Sequence, residues 1–120
     1  MNFDALLETV RRQLGRRVDV PRGCGWRVHG RGDGLRLVVD IDAAALAGNM
    51  QDNTPAAPCF ATCLAWWHEQ ATGCPTGVDV RVLGPAPTDA GALRHWRRSQ
   101  FLLAELSTIL GPSFGVEPAP

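Results

Sequence analysis

Cys59-Phe60-Ala61-Thr62-Cys63-Leu64-Ala65-Trp66-Trp67-His68-Glu69 is the stretch on which the fold turns. Read as a helix, it is apolar on nearly every side over its first nine residues. Such a helix needs cover on more than one face, from its own domain or from another molecule. Phe60, Cys63, Leu64, Trp67 and Ala71 form one stripe at helical spacing and are expected to face the core. Trp66, with Cys59 and Gln70, falls on a second face. The helix is expected from Pro58, a residue suited to a first turn, to Thr72, with Gly73 and Pro75 ending it.

Working outward, residues 24–29 and 35–42 alternate as a β-hairpin, and residues 77–83 alternate as a third strand. A loop of residues 30–33 pairs Trp26 with Leu37 and Val28 with Leu35. That gathers Leu35, Leu37, Val39 and Ile41 on one face and leaves Arg36, Val38, Asp40 and Asp42 on the other. Strands two and three flank the central helix and should run parallel through a right-handed crossover. Residues 3–15 carry Phe3, Leu6, Leu7, Val10 and Leu14 in a single stripe, with Asn2 placed to cap the start and Gly15 to stop it. Asp42 is placed to cap a short helical turn over 43–47. A last helix should run from a cap at Thr88 or Asp89 to Leu110, stopped by Gly111-Pro112. The order is α-β-β-α-β-α. The expected fold is α+β, with a small mixed sheet of three strands whose apolar face is packed on helices. One domain is expected over residues 1–112, with 113–120 as a flexible tail.

The composition narrows the chemistry. A chain of 120 residues holds one core. Its formal net charge is zero, which argues against nucleic acid and acidic membranes as partners. All 12 basic residues are Arg, and Lys and Tyr are absent; with the richness in Ala, Gly and Pro this indicates GC-biased, bacterial coding. Schiff-base, P-loop and lysine-assisted nuclease chemistry are therefore excluded. Met1 is followed by an amphipathic segment rather than an apolar leader, and no run approaches the ~20 apolar residues of a membrane span. The expected compartment is the cytoplasm, and the four cysteines are expected as free thiols.

Several constellations could carry chemistry. Cys59 and Cys63 lie one helical turn apart, but His68 sits about 140° around the helix from Cys63 and cannot easily complete a tetrahedral zinc site. Cys59, in a first turn, has one of the two features of a reactive thiolate and lacks a placed histidine. Asp40 and Asp42 at a strand end, with Glu69, could form a divalent-metal site for phosphoryl transfer. The polar stretch Asn49, Met50, Gln51, Asp52, Asn53 could line a ligand site. Arg31-Gly32-Asp33 has the composition of a hairpin turn. Arg94, Arg97 and Arg98 could meet phosphate or an acidic partner. Trp96 is expected to pack with Leu93 and Leu103.

No catalytic residue and no cofactor are assigned. The leading expectation is a small non-catalytic bacterial accessory protein acting by protein–protein contact, in an adaptor, chaperone-like or immunity-like role. Its interface would comprise Trp66, Leu102, Leu106 and Ile109, and its partner would be a protein or a second copy in a homodimer. The alternatives are a small divalent-metal phosphoesterase or nuclease using Asp40, Asp42 and Glu69, and a small-ligand-binding module built on residues 49–53.

Overall fold

A computed structural model describes residues 1–43, 50, 51 and 54–118. The fold is α+β. Helix α1 is Phe3–Leu14. Strands β1 (Cys24–Arg31) and β2 (Gly34–Asp42) form the hairpin, and β3 (Met50–Gln51) pairs with β4 (Thr54–Pro55) in a second, two-stranded ribbon. Helix α2 is Ala56–Thr72, β5 is Thr76–Leu83 and α3 is Ala90–Leu110. A 3-10 turn over Gly111–Ser113 leads into β6, Phe114–Pro118. The main sheet has the order β1-β2-β5-β6; β1 is antiparallel to β2, and the other pairs are parallel.

Local chemistry sets the helix ends. Asn2 Oδ1 accepts from the Ala5 amide at 2.9 Å. Gly15 adopts a φ of 65° and returns its amide to the Arg11 carbonyl. Asp89 caps α3 by accepting from the Ala92 amide at 3.0 Å. Leu6, Leu7 and Val10 of α1 are buried on the stripe the periodicity predicts. Only Ala43 of the expected short turn over 43–47 lies within the described residues.

The hairpin corrects the expected register. Trp26 pairs with Val39, Val28 with Leu37 and Arg31 with Gly34. The turn is therefore Gly32-Asp33, two residues long rather than four. Both tight hairpin turns that suit strand twist need a positive φ at their first position, and Gly32 supplies it with 60°. The shift is by two residues, so every side chain keeps its expected face.

The sheet has four strands, not three. Residues 114–118, expected in a flexible tail, form the fourth, with Val78 beside Phe114 and Val80 beside Val116. Phe114 is buried and Val116 half-buried, while Glu117 is exposed. The alternation was present, but it is too short to stand out after Gly111-Pro112.

Helices cover the apolar face. Leu37, Val39, Ile41, Val78, Val80, Val82 and Phe114 pack with Leu6, Leu7 and Val10 of α1, Leu64 of α2 and Leu103 of α3. Each fully buried aliphatic side chain stabilises the fold by about 1.5–3 kcal/mol relative to exposure. The seat of α2 departs from the expected stripe. Its buried residues are Ala57, Pro58, Ala61, Leu64, Ala65 and His68. The small alanines let the helix backbone approach the sheet closely, and this turns the bulky side chains outward to its flanks. Phe60 and Trp67 are half-buried, and Cys63 is exposed. Phe60 meets Trp26 edge-on at 5.5 Å, and Trp26 stacks on Phe3 at 5.2 Å.

Candidate functional site

The opposite face of the sheet carries paired charges around Val38, which is buried beneath them rather than exposed as its outward position suggests. Asp40 accepts from Arg27 at 3.1 Å and lies 3.7 Å from Arg81, which also reaches Glu117 at 3.8 Å. Arg36 is the tightest member. Its Nη2 donates to Asp79 Oδ1 at 2.6 Å and to the Val78 carbonyl at 3.0 Å, its Nε to Asp79 Oδ2 at 3.2 Å, and its Nη1 to the Pro112 carbonyl at 3.1 Å. Glycines make room for these groups. A Cβ at Gly77 would overlap the Arg36 guanidinium, and one at Gly115 would come within 2.6 Å of Asp79.

Asp40, Asp42 and Glu69 do not converge. Asp42 pairs in register with Leu83 at the end of β5, whereas Glu69 accepts from the amide of Thr76 at its start, at 3.0 Å. Seven residues of strand separate the two positions, about 23 Å at the strand rise. Asp40 is committed to its arginines. Among the described residues, no three His, Cys, Asp or Glu side chains gather as metal ligands. An open cleft of about 640 Å³ lies by the hairpin turn, but Arg36 and Glu69, two of its charged groups, are already engaged as above.

The cysteines are free. Burial pushes the Cys59 thiol above its ordinary pKa, and the neighbouring Cys63 adds to the shift, so the first-turn position does not yield an acidic thiol. His68 is absent from any thiol pair. It is 1% exposed. Its Nδ1 lies 2.9 Å from Thr76 Oγ1, whose own hydrogen is given to the Cys74 carbonyl. Nδ1 therefore carries the proton and donates. Nε2 is buried with no hydrogen-bond partner among the described residues. Burial lowers the pKa of this imidazole.

Of the loop candidates, Asn49, Asp52 and Asn53 lie outside the described residues, and Met50 and Gln51 are placed by their backbone in β3. Arg31-Gly32-Asp33 forms the end of β1 and the tight turn. Trp96 is half-buried against the core.

Among the described residues, large apolar side chains are exposed on α2 and on α3. Trp66 is 54% exposed and meets Trp67 edge-on at 5.0 Å. It borders a cleft of about 140 Å³ formed with Thr62, Ala65, Leu110, Ser113 and Phe114. The second surface is the outer side of α3. Leu103 is buried, Leu106 and Leu110 pack against the core and Leu102 is half-buried, so these residues form the inner side. Ile109 is 74% exposed and Phe101 64% exposed. Sequence reasoning missed Phe101 because it sits between the Arg-rich half and the leucine-rich half of the helix. Helical spacing from Ile109 would have found it.

The chain matches no protein-family model, no curated protein and no solved structure.

Proposed function

We propose that this chain is a small bacterial accessory protein of the cytoplasm that acts by protein–protein contact and not by catalysis. The observation that carries this is Trp66, a large aromatic side chain left more than half exposed at the rim of a cleft. An exposed indole beside an apolar depression is the kind of feature that becomes a binding hot spot when a partner fills the depression and excludes water. Among the described residues, the charges of the open sheet face are paired with one another and no three His, Cys, Asp or Glu side chains gather as metal ligands. A divalent-metal phosphoesterase using Asp40, Asp42 and Glu69 has no support in their placement. A ligand module built on residues 49–53 rests on positions mostly outside the described residues. Among the described residues, no helix is long and apolar enough to cross a membrane.

The test uses wild-type and Trp66→Glu chains as paired baits in lysate of the cells that express the protein. The change should leave circular dichroism and melting temperature nearly unaltered, because the side chain is exposed. A specific protein should be retained by wild type and lost with the variant, and calorimetric titration of the two purified proteins should reproduce the difference. Equal recovery by both folded baits would refute the proposal.

A further inference from the structure

The outer side of α3 carries Arg97, Phe101 and Glu105, four residues apart, and the same spacing continues to Leu93 on one flank of the helix and Ile109 on the other. Residues at this spacing form a continuous ridge on a helix. Arg97, Phe101, Glu105 and Ile109 are exposed, Leu93 is half-exposed, and Arg94 and Arg98 flank the row, also exposed. About its centre the row is a palindrome in polarity and an antipalindrome in charge: apolar, positive, apolar, negative, apolar. Among the described residues none of Arg94, Arg97, Arg98 and Glu105 makes an ion pair, as is also true of Arg11, Arg16, Arg22 and Arg31.

The charges of α3 are also unevenly divided along its length. The first half holds three arginines, the first turn has no acidic residue beyond the cap Asp89, and the last turn has no basic one. Helix α1 has the usual order, Asp4 in its first turn and Arg11 and Arg12 in its last. Arg94 and Arg98 are like charges at i, i+4, a spacing that is destabilising unless a negative charge lies close. An antiparallel copy of the same helix supplies one, because its Glu105 and its negative C-terminal end lie beside the arginines.

We infer, building on the contact function proposed above, that the chain is a homodimer whose seam is α3 packed antiparallel on its two-fold mate, with Phe101 on the axis. Arg97 and Glu105 lie four residues either side of Phe101, about 6 Å along the helix each way. Antiparallel docking therefore sets Arg97 level with Glu105 of the second copy, twice over, and Phe101 against Phe101. Leu93 and Ile109 lie about 80° to either side of Phe101, on opposite flanks of the helix and outside the seam. The contact is isologous, as a closed two-fold dimer requires. One helix per subunit makes an interface at the small end of the range, consistent with micromolar self-association. The Trp66 cleft lies on the inner side of α3 with Leu110 and stays open for a different protein.

Analytical ultracentrifugation of the whole chain tests this. Wild type should sediment as a dimer at micromolar concentration. Glu105→Arg and Arg97→Glu, both at exposed positions, should each weaken the dimer at least tenfold by facing like charges. An equimolar mixture of the two variants should restore association as a heterodimer, since each Arg then meets a Glu again. Trp66→Glu should leave the dimer intact. A monomeric wild type overturns the inference, as does a mixture that fails to associate. Loss of the dimer in Trp66→Glu overturns the α3 seam while leaving the contact function standing. Loss of partner capture with an intact dimer refutes neither the seam nor the contact function; it supports both.

Discussion

Replacing Arg36 with alanine should destabilise the fold far more than replacing Arg81, although both arginines lie on the same open face of the sheet. The Arg36 side chain is 13% exposed and that of Asp79 is 26% exposed. Arg36 makes two hydrogen bonds to the carboxylate and one to each of two carbonyls, tying β2 to β5 and to the turn before β6. Removing one partner of a fully buried pair costs about 3–5 kcal/mol, and an exposed pair is worth about 0–1 kcal/mol. At these exposures the expected loss is about 2–4 kcal/mol. Arg81 is 39% exposed with contacts of 3.7 and 3.8 Å, so Arg81→Ala should cost under ~1 kcal/mol. At about 3–5 °C per kcal/mol for a chain of this length, Arg36→Ala should lower Tm by roughly 6–20 °C. Gly77→Ala supplies the check on mechanism, because its Cβ would overlap the guanidinium. It should destabilise wild type, and its cost should shrink by about 1 kcal/mol or more in the Arg36→Ala background. Urea denaturation of the four chains completes the cycle. Arg36→Ala and Arg81→Ala within about 0.5 kcal/mol of each other would refute the account, as would a Gly77 cost that is unchanged without Arg36.

Further outcomes follow from individual groups. Burial holds the folded pKa of His68 below its ordinary value of 6.5. As pH falls below that value the unfolded chain takes up a proton that the fold refuses. Stability should therefore be complete above about pH 6.5 and decline below it, with a slope of at most about 1.4 kcal/mol per pH unit. His68→Gln should flatten that decline below about pH 6.5; a slope identical to wild type in urea melts would count against the buried imidazole. Asp40→Asn should cost about 1 kcal/mol, since the carboxylate is 19% exposed between two arginines, whereas Glu117→Gln, at a side chain 73% exposed, should be nearly neutral by thermal melting. Trp67→Ala should cost about 2 kcal/mol in urea melts, less than the 3–5 kcal/mol of a fully buried tryptophan, because the side chain is half-buried. Thiol titration in denaturant without reductant should find four free thiols per chain, and two or none would contradict the free cysteines.

Much of the fold was legible because it is encoded locally. The stripe and both caps of α1 lie within fifteen residues, so periodicity and cap chemistry found the helix and its ends. Alternation assigned the strands and their faces, since a side chain's face depends only on parity. Parity cannot distinguish a loop of four residues from one of two, however. The φ of Gly32 in the tight turn decided the register. The parallel pairing of β2 and β5 followed from their order around a helix, but β6 depends on β5, more than thirty residues earlier in the chain, and five residues carry too little pattern to announce themselves.

The surfaces divide in the same way. The sequence by itself determined that α2 is apolar on nearly every side over the nine residues from Cys59, that α3 has an Arg-rich half and a leucine-rich half, and that the charges of the strands point away from the core. It could not determine which side of α2 meets the sheet, because both faces are apolar enough. Tertiary packing decided that, by seating Ala57, Ala61 and Ala65 on the valine-rich strands and leaving Trp66 outside. It likewise joined Arg36 to Asp79 across 43 residues of chain, scattered the three carboxylates and turned Phe101 outward. Local periodicity specifies a direction within one element, whereas exposure and ion pairing depend on what other elements bring to that side, and only the folded chain supplies them.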